Sequence, residues 1–138
     1  MVIETSRALR HGASRVARIL VIENQSLLGK WIGLNLADAG HVVIQVRRPE
    51  EAHVQIETSR PDLVIFNTGL PAEVKGLFIR HWRELQPKTR VLDITDDADG
   101  AEAGPGGWSE ADSYVRVPFM MERLIEVVEG LLDSDDGS

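Results

Sequence analysis

Apolar residues fall into short blocks separated by polar turns, and the blocks alternate between strand and helix lengths. Ala17-Arg18-Ile19-Leu20-Val21-Ile22 is a β-branched run ending at Glu23-Asn24, suited to a strand buried on both faces of a parallel sheet. From Gln25 to Ala39, Leu27, Trp31 and Leu34 recur at helical spacing, as do Leu28, Ile32 and Leu36. Asn24 is placed to cap this helix and Gly40 to end it. His41 to Val46 reads as a second strand. Pro49 opens a helix through Ser59, which Arg60-Pro61-Asp62 stops before the apolar run Leu63 to Phe66. Leu77, Phe78, His81, Trp82 and Leu85 predict a helix after Pro71. Val91 to Thr95 and Tyr114 to Val117 predict two more strands, and Pro118 precedes a last helix from Phe119 to Leu132.

Strands alternating with helices of these lengths predict an α/β fold with a five-stranded parallel sheet, doubly wound, because each crossover must return the chain to the same strand direction. The exception is Asp96 to Ser113, which holds Gly100, Gly104, Pro105, Gly106 and Gly107. A helix there would lose about 1 kcal/mol per glycine and about 3 at the proline. A loop or one short turn is expected where the alternation calls for a fourth helix. The organisation predicted is a flexible N-terminal tail over 1–16, one domain over 17–132 and an acidic C-terminal tail over 133–138.

The length of 138 residues suits one core, and no apolar run approaches the ~20 residues a membrane helix needs. There are no cysteines, so thiolate metal sites, disulfides and cysteine nucleophiles are excluded. The first sixteen residues carry arginines but no apolar stretch of signal-peptide type, so a cytoplasmic location without membrane contact is expected. The net charge of -7 is uneven: acids dominate the last third, and a short basic excess sits at the start. That balance argues against nucleic acid as a partner and fits either a basic protein surface or a solvated acidic face.

Asn67 stands at the exit of a buried strand, where open α/β sheets keep their chemistry. A carboxylate there could attack a phosphoryl group; a neutral amide is a poor nucleophile. The strand Leu63 to Asn67 with Leu70-Pro71, Thr95 closing the fourth strand, and Tyr114-Val115-Arg116-Val117-Pro118-Phe119 resemble the receiver domain of bacterial two-component response regulators over residues 17 to 132. The resemblance implies a flavodoxin-like fold and a phosphorylation pocket at Glu23, Asn24, Asn67, Thr95 and Val117, with Tyr114 as the switch aromatic. It also implies an atypical, pseudo-receiver variant. Receivers hold magnesium with two acids where Glu23 and Asn24 stand, accept phosphate on an aspartate at Asn67, and carry a lysine at Val117. Magnesium wants carboxylate oxygens and transfer needs charge neutralisation, so the three changes together predict loss of phosphorylation. With both asparagines neutral, a lysine would have no clustered negative charge to relieve, and Val117 becomes an ordinary apolar strand residue.

No other chemistry emerges. His41, His53 and His81 lie in different elements without ligand spacing, and no serine-histidine-aspartate set or glycine-rich phosphate loop follows the first strand. The chain is expected to be neither an enzyme nor a holder of metal or cofactor. On the last helix, Met120, Leu124, Val127 and Leu131 form one stripe and Met121, Ile125, Val128 and Leu132 another. One must face the sheet. The other is either the remaining core edge or an exposed docking face, for which Arg116, Met121, Ile125, Val128 and Leu132 are the candidates. The function expected is phosphorylation-independent signalling through a protein partner or a second copy of the chain. The alternative is a small-molecule regulator that uses the neutralised pocket, with Thr95, Asn24 and Asn67 as hydrogen-bonding groups.

Overall fold

A computed structural model describes residues 2–3, 16–96 and 110–136. The elements are β1 (Val2–Ile3), β2 (Arg18–Glu23), α1 (Ser26–Asp38), β3 (Val42–Val46), α2 (Pro49–Ser59), β4 (Leu63–Asn67), α3 (Ala72–Leu85), β5 (Arg90–Asp96), β6 (Ser113–Val117) and α4 (Met121–Asp136). The sheet order is β1-β3-β2-β4-β5-β6, with β2 to β6 parallel to one another and β1 antiparallel at the β3 edge. The five-stranded parallel, flavodoxin-like sheet expected from the alternation is present. The stretch read as a degraded fourth helix lies mostly outside the described residues.

Successive side chains on a strand point to opposite faces, so β2 feeds two cores. Ile19 and Val21 join Ile32 and Leu36 of α1 and Leu124, Val128 and Leu132 of α4. Leu20 and Ile22 join Ala52 and Ile56 of α2 and Ile79 and Trp82 of α3. Helices therefore cover both faces of the sheet.

Several local expectations change. The segment read as a loose tail contributes β1, which runs antiparallel along β3 with Val2 opposite Ile44 and Ile3 opposite Val43. Its two β-branched residues fill an edge position that favours them. Helix α4 continues through Asp136, past the boundary placed at Leu132, since no glycine or proline stands between Leu132 and Gly137. Gln25, not Asn24, is the N-cap of α1, and it makes no side-chain cap. On α3 the buried face is Lys75, Gly76, Ile79 and Trp82, while Leu77 turns outward at 61% exposure.

Two histidines are structural. His41 is fully buried; its Nδ1 accepts from the Ala17 N–H at 3.2 Å and its Nε2 donates to Glu129 at 2.9 Å, joining the start of β2 to α4. His53 on α2 accepts the Trp82 indole N–H at 3.1 Å through Nδ1 and meets the His81 ring edge-on at 4.7 Å. Burial, followed by the neighbouring His81, lowers the His53 pKa, with Glu50 and Glu57 opposing. A lowered histidine pKa gives stability that is present above the unfolded value of 6.5 and is lost as pH falls below it. Urea melts should therefore show stability declining from pH 7.5 to 5.5, and His53→Gln should flatten that decline; an unchanged slope in the variant would exclude His53 as its source.

Candidate functional site

Strand order reverses direction at β2: the chain moves to β3 on one side and to β4 on the other. The loops leaving β2 and β4 therefore diverge and open a crevice at their carboxyl ends, the usual ligand position in such sheets. Glu23 and Asn67 are direct register partners there. A pocket of about 290 Å³ gathers Glu23, Asn24, Asn67, Thr95 and Val117, with Gln25, Leu28, Thr68, Gly69 and Ile94 completing its described wall. All five pocket residues anticipated from the sequence thus converge. Tyr114 is not among them; it is half-buried on β6, opposite Asp93.

Glu23 is the pocket's centre of charge and is 4% exposed. Its Oε1 accepts from Asn67 Nδ2 and its Oε2 from the Gln25 N–H at 2.7 Å. Burial raises its pKa, while the bonds from Gln25 and Asn67 pull it back. The two acceptor oxygens fit an ionised carboxylate. Among the described lining residues there is no cation. Arg47 bonds the outward carbonyl of Asn24 at 3.4 Å. The amide of Asn67 serves as a donor that ties the ends of β2 and β4 together.

Three features escaped sequence reading. Gly29 sits in mid-helix because α1 passes directly over Glu23: a Cβ there would lie 2.9 Å from Glu23 Cγ and 3.1 Å from its Cβ. Gln45 donates to the Gly29 carbonyl, fixing the same turn. A glycine inside an amphipathic helix was the available signal. Gly29→Ala should destabilise the protein by about 1 to 3 kcal/mol through overpacking, against a helix-propensity gain of about 1. Urea denaturation checks the sign, and a stabilised variant would mean that Glu23 can move aside.

The second is Thr68, whose buried hydroxyl at the pocket wall has no hydrogen-bond partner among the described residues. The third is on the other face of the sheet, where Lys75 Nζ meets Asp93 Oδ1 at 2.7 Å with both side chains 4% exposed. The ammonium also approaches the Ile94 carbonyl at 3.4 Å and the Phe66 ring at 5.6 Å. Asp93 inside the run Val91 to Ile94 was the clue, since a charge in a buried strand requires a partner.

The docking face placed on α4 is corrected. Val128 and Leu132 are in the core at 0% and 1% exposure, and Met121 and Ile125 pack against it. Both stripes of α4 contribute to burial because the helix fills the groove beside α1 and β6. Arg116 is exposed on β6. The exposed apolar stripe belongs to α1: Leu27, Trp31 and Leu34 are 81%, 57% and 49% exposed. Among the described residues, no helix is long and apolar enough to cross a membrane, and no group of three or more histidine, aspartate or glutamate side chains could hold a metal.

No protein-family model matches the chain. The virulence transcriptional regulatory protein PhoP of Shigella flexneri is 30% identical over 126 residues, and that of Salmonella typhimurium is 31% identical over 120. Each match takes 87% of this chain and 54% of the relative, so the chain spans about half the length of those proteins. A response regulator from Chloroflexus aurantiacus superposes with a TM-score of 0.74 at 24% identity, covering 86% of this chain and 99% of that one. The chemotaxis protein CheY4 of Vibrio cholerae gives 0.72 at 20% identity, covering 85% and 99%. The chain therefore has the fold of solved response-regulator structures, and 87% of it is similar in sequence to about half of the PhoP regulatory proteins.

Proposed function

We propose that this receiver domain signals without being phosphorylated, through contact with a protein partner. The observation that carries this reading is the bond from Asn67 Nδ2 to Glu23: the group at the end of β4 is a hydrogen-bond donor engaged by a buried carboxylate. An amide supplies no nucleophilic oxygen anion, and a single carboxylate is a poor magnesium site. Val117 adds no cation to hold a phosphoryl group. The exposed Leu27, Trp31 and Leu34 on α1 supply an apolar face of the kind partners use. The PhoP relatives are named transcriptional regulatory proteins, which fits a regulatory role.

Incubation with acetyl phosphate or beryllofluoride plus magnesium should leave the intact mass unchanged and produce no amide shifts centred on Asn67. A covalent phosphate on this chain would overturn the proposal. A second reading, that the pocket takes a small ligand, is favoured by the unpartnered Thr68 hydroxyl in its wall.

A further inference from the structure

The pocket holds a buried negative charge with no partner of opposite sign among the described residues. Glu23 is 4% exposed, and its two hydrogen bonds come from the neutral Asn67 amide and the Gln25 backbone. A carboxylate has about four lone-pair sites, so each oxygen retains acceptor capacity. Lys75, the buried lysine of the described residues, is committed to Asp93 on the opposite face of the sheet. Asn67 donates through Nδ2, which leaves its Oδ1 as an acceptor, and the Thr68 hydroxyl beside it is buried without a partner among the described residues. One wall therefore offers one negative charge and further oxygen acceptors. The wall formed by Leu28, Ile94 and Val117 is aliphatic. A volume of about 290 Å³ lies at the small end of ligand sites.

We infer that this pocket binds a small primary alkylammonium, its charged nitrogen on Glu23 with Asn67 and Thr68 as further acceptors, and its alkyl chain against Val117, Ile94 and Leu28. This rests on the second reading above, that the pocket takes a small ligand. The ligand supplies the charge that the chain withholds. An inorganic cation would leave the aliphatic wall unused, and a neutral alcohol would leave Glu23 uncompensated. Because burial disfavours ionised Glu23, the bound ammonium lowers its pKa, so binding releases protons at mildly acid pH.

The test titrates the ¹⁵N-labelled full chain with n-butylammonium chloride, and in parallel with butan-1-ol, potassium chloride and magnesium chloride at matched ionic strength. Saturable amide shifts at Glu23, Gln25, Asn67 and Thr68 are expected with the ammonium, and butan-1-ol should bind at least about tenfold more weakly for want of a charge-assisted bond. Val117→Lys builds an internal ammonium into the pocket and should abolish the response while the chain stays folded. Thr68→Val should weaken binding several-fold. Calorimetry at pH 5.5 in buffers of different ionisation enthalpy should show proton release. Equal binding of butan-1-ol would overturn the ammonium assignment and leave the small-ligand reading standing. Undiminished binding to Val117→Lys, a response to magnesium alone, or no saturable response would each overturn it.

Discussion

Asp93→Leu alone is expected to destabilise the protein by about 3 to 5 kcal/mol, since it strands the Lys75 ammonium in an apolar layer with only a distant carbonyl. That loss is a large share of the stability of a domain this size. Adding Lys75→Met should recover most of it, because two neutral side chains of similar volume leave nothing to desolvate. Lys75→Met alone takes the ammonium away from the buried Asp93 carboxylate and should also destabilise the protein. Urea denaturation of the four proteins forms a double-mutant cycle, and a double variant as unstable as either single would show that the pair does more than neutralise itself. The pair ties the first turns of α3 to β5 just below Thr95.

The second large effect is at Asn67. Asn67→Asp removes the donor to Glu23 and places a second carboxylate within hydrogen-bond reach of the first. At pH 7 the loss should be about 2 to 4 kcal/mol, combining a lost charge-assisted bond with like-charge repulsion. The pair can relieve itself by sharing a proton, which raises the folded-state pKa of the dyad above the unfolded values. An acid raised in this way costs stability at high pH, and the cost disappears as pH falls through the raised value. The gap from the parent protein should therefore narrow between pH 7 and pH 5. Val117→Lys added to Asn67→Asp should also narrow it at pH 7 by placing a cation beside the two acids. Chemical denaturation at both pH values checks the pattern, and a gap independent of both pH and lysine would show that shape alone distinguishes aspartate from asparagine here.

Much of the fold was legible because its strands are buried on two faces: Leu63 to Phe66 must be apolar throughout, and such runs stand out. Asn67 was legible from its place at the exit of a buried strand, whereas Glu23, Thr95 and Val117 were found through the resemblance to receiver domains. What stayed hidden depended on distant partners. Asp93 could be seen to need a counter-charge, but Lys75 lies eighteen residues away in another element. Leu77 has the spacing of a core residue, yet the tilt of α3 gives that place to Ile79. Helices α1 and α4 each carry two apolar stripes, and only their mutual packing determines that both stripes of α4 contribute to the core, Met120 excepted, while α1 leaves Leu27, Trp31 and Leu34 outside.

The short strand β1 has a consequence for handling the molecule. The outer margin of a sheet is a row of unsatisfied peptide groups, a template on which stray chains can assemble. Val2 and Ile3 occupy that margin at Val43 and Ile44, so two residues at the start of the chain act as a guard against sticky self-association. Trimming them would bare the β3 margin and leave the protein more inclined to precipitate.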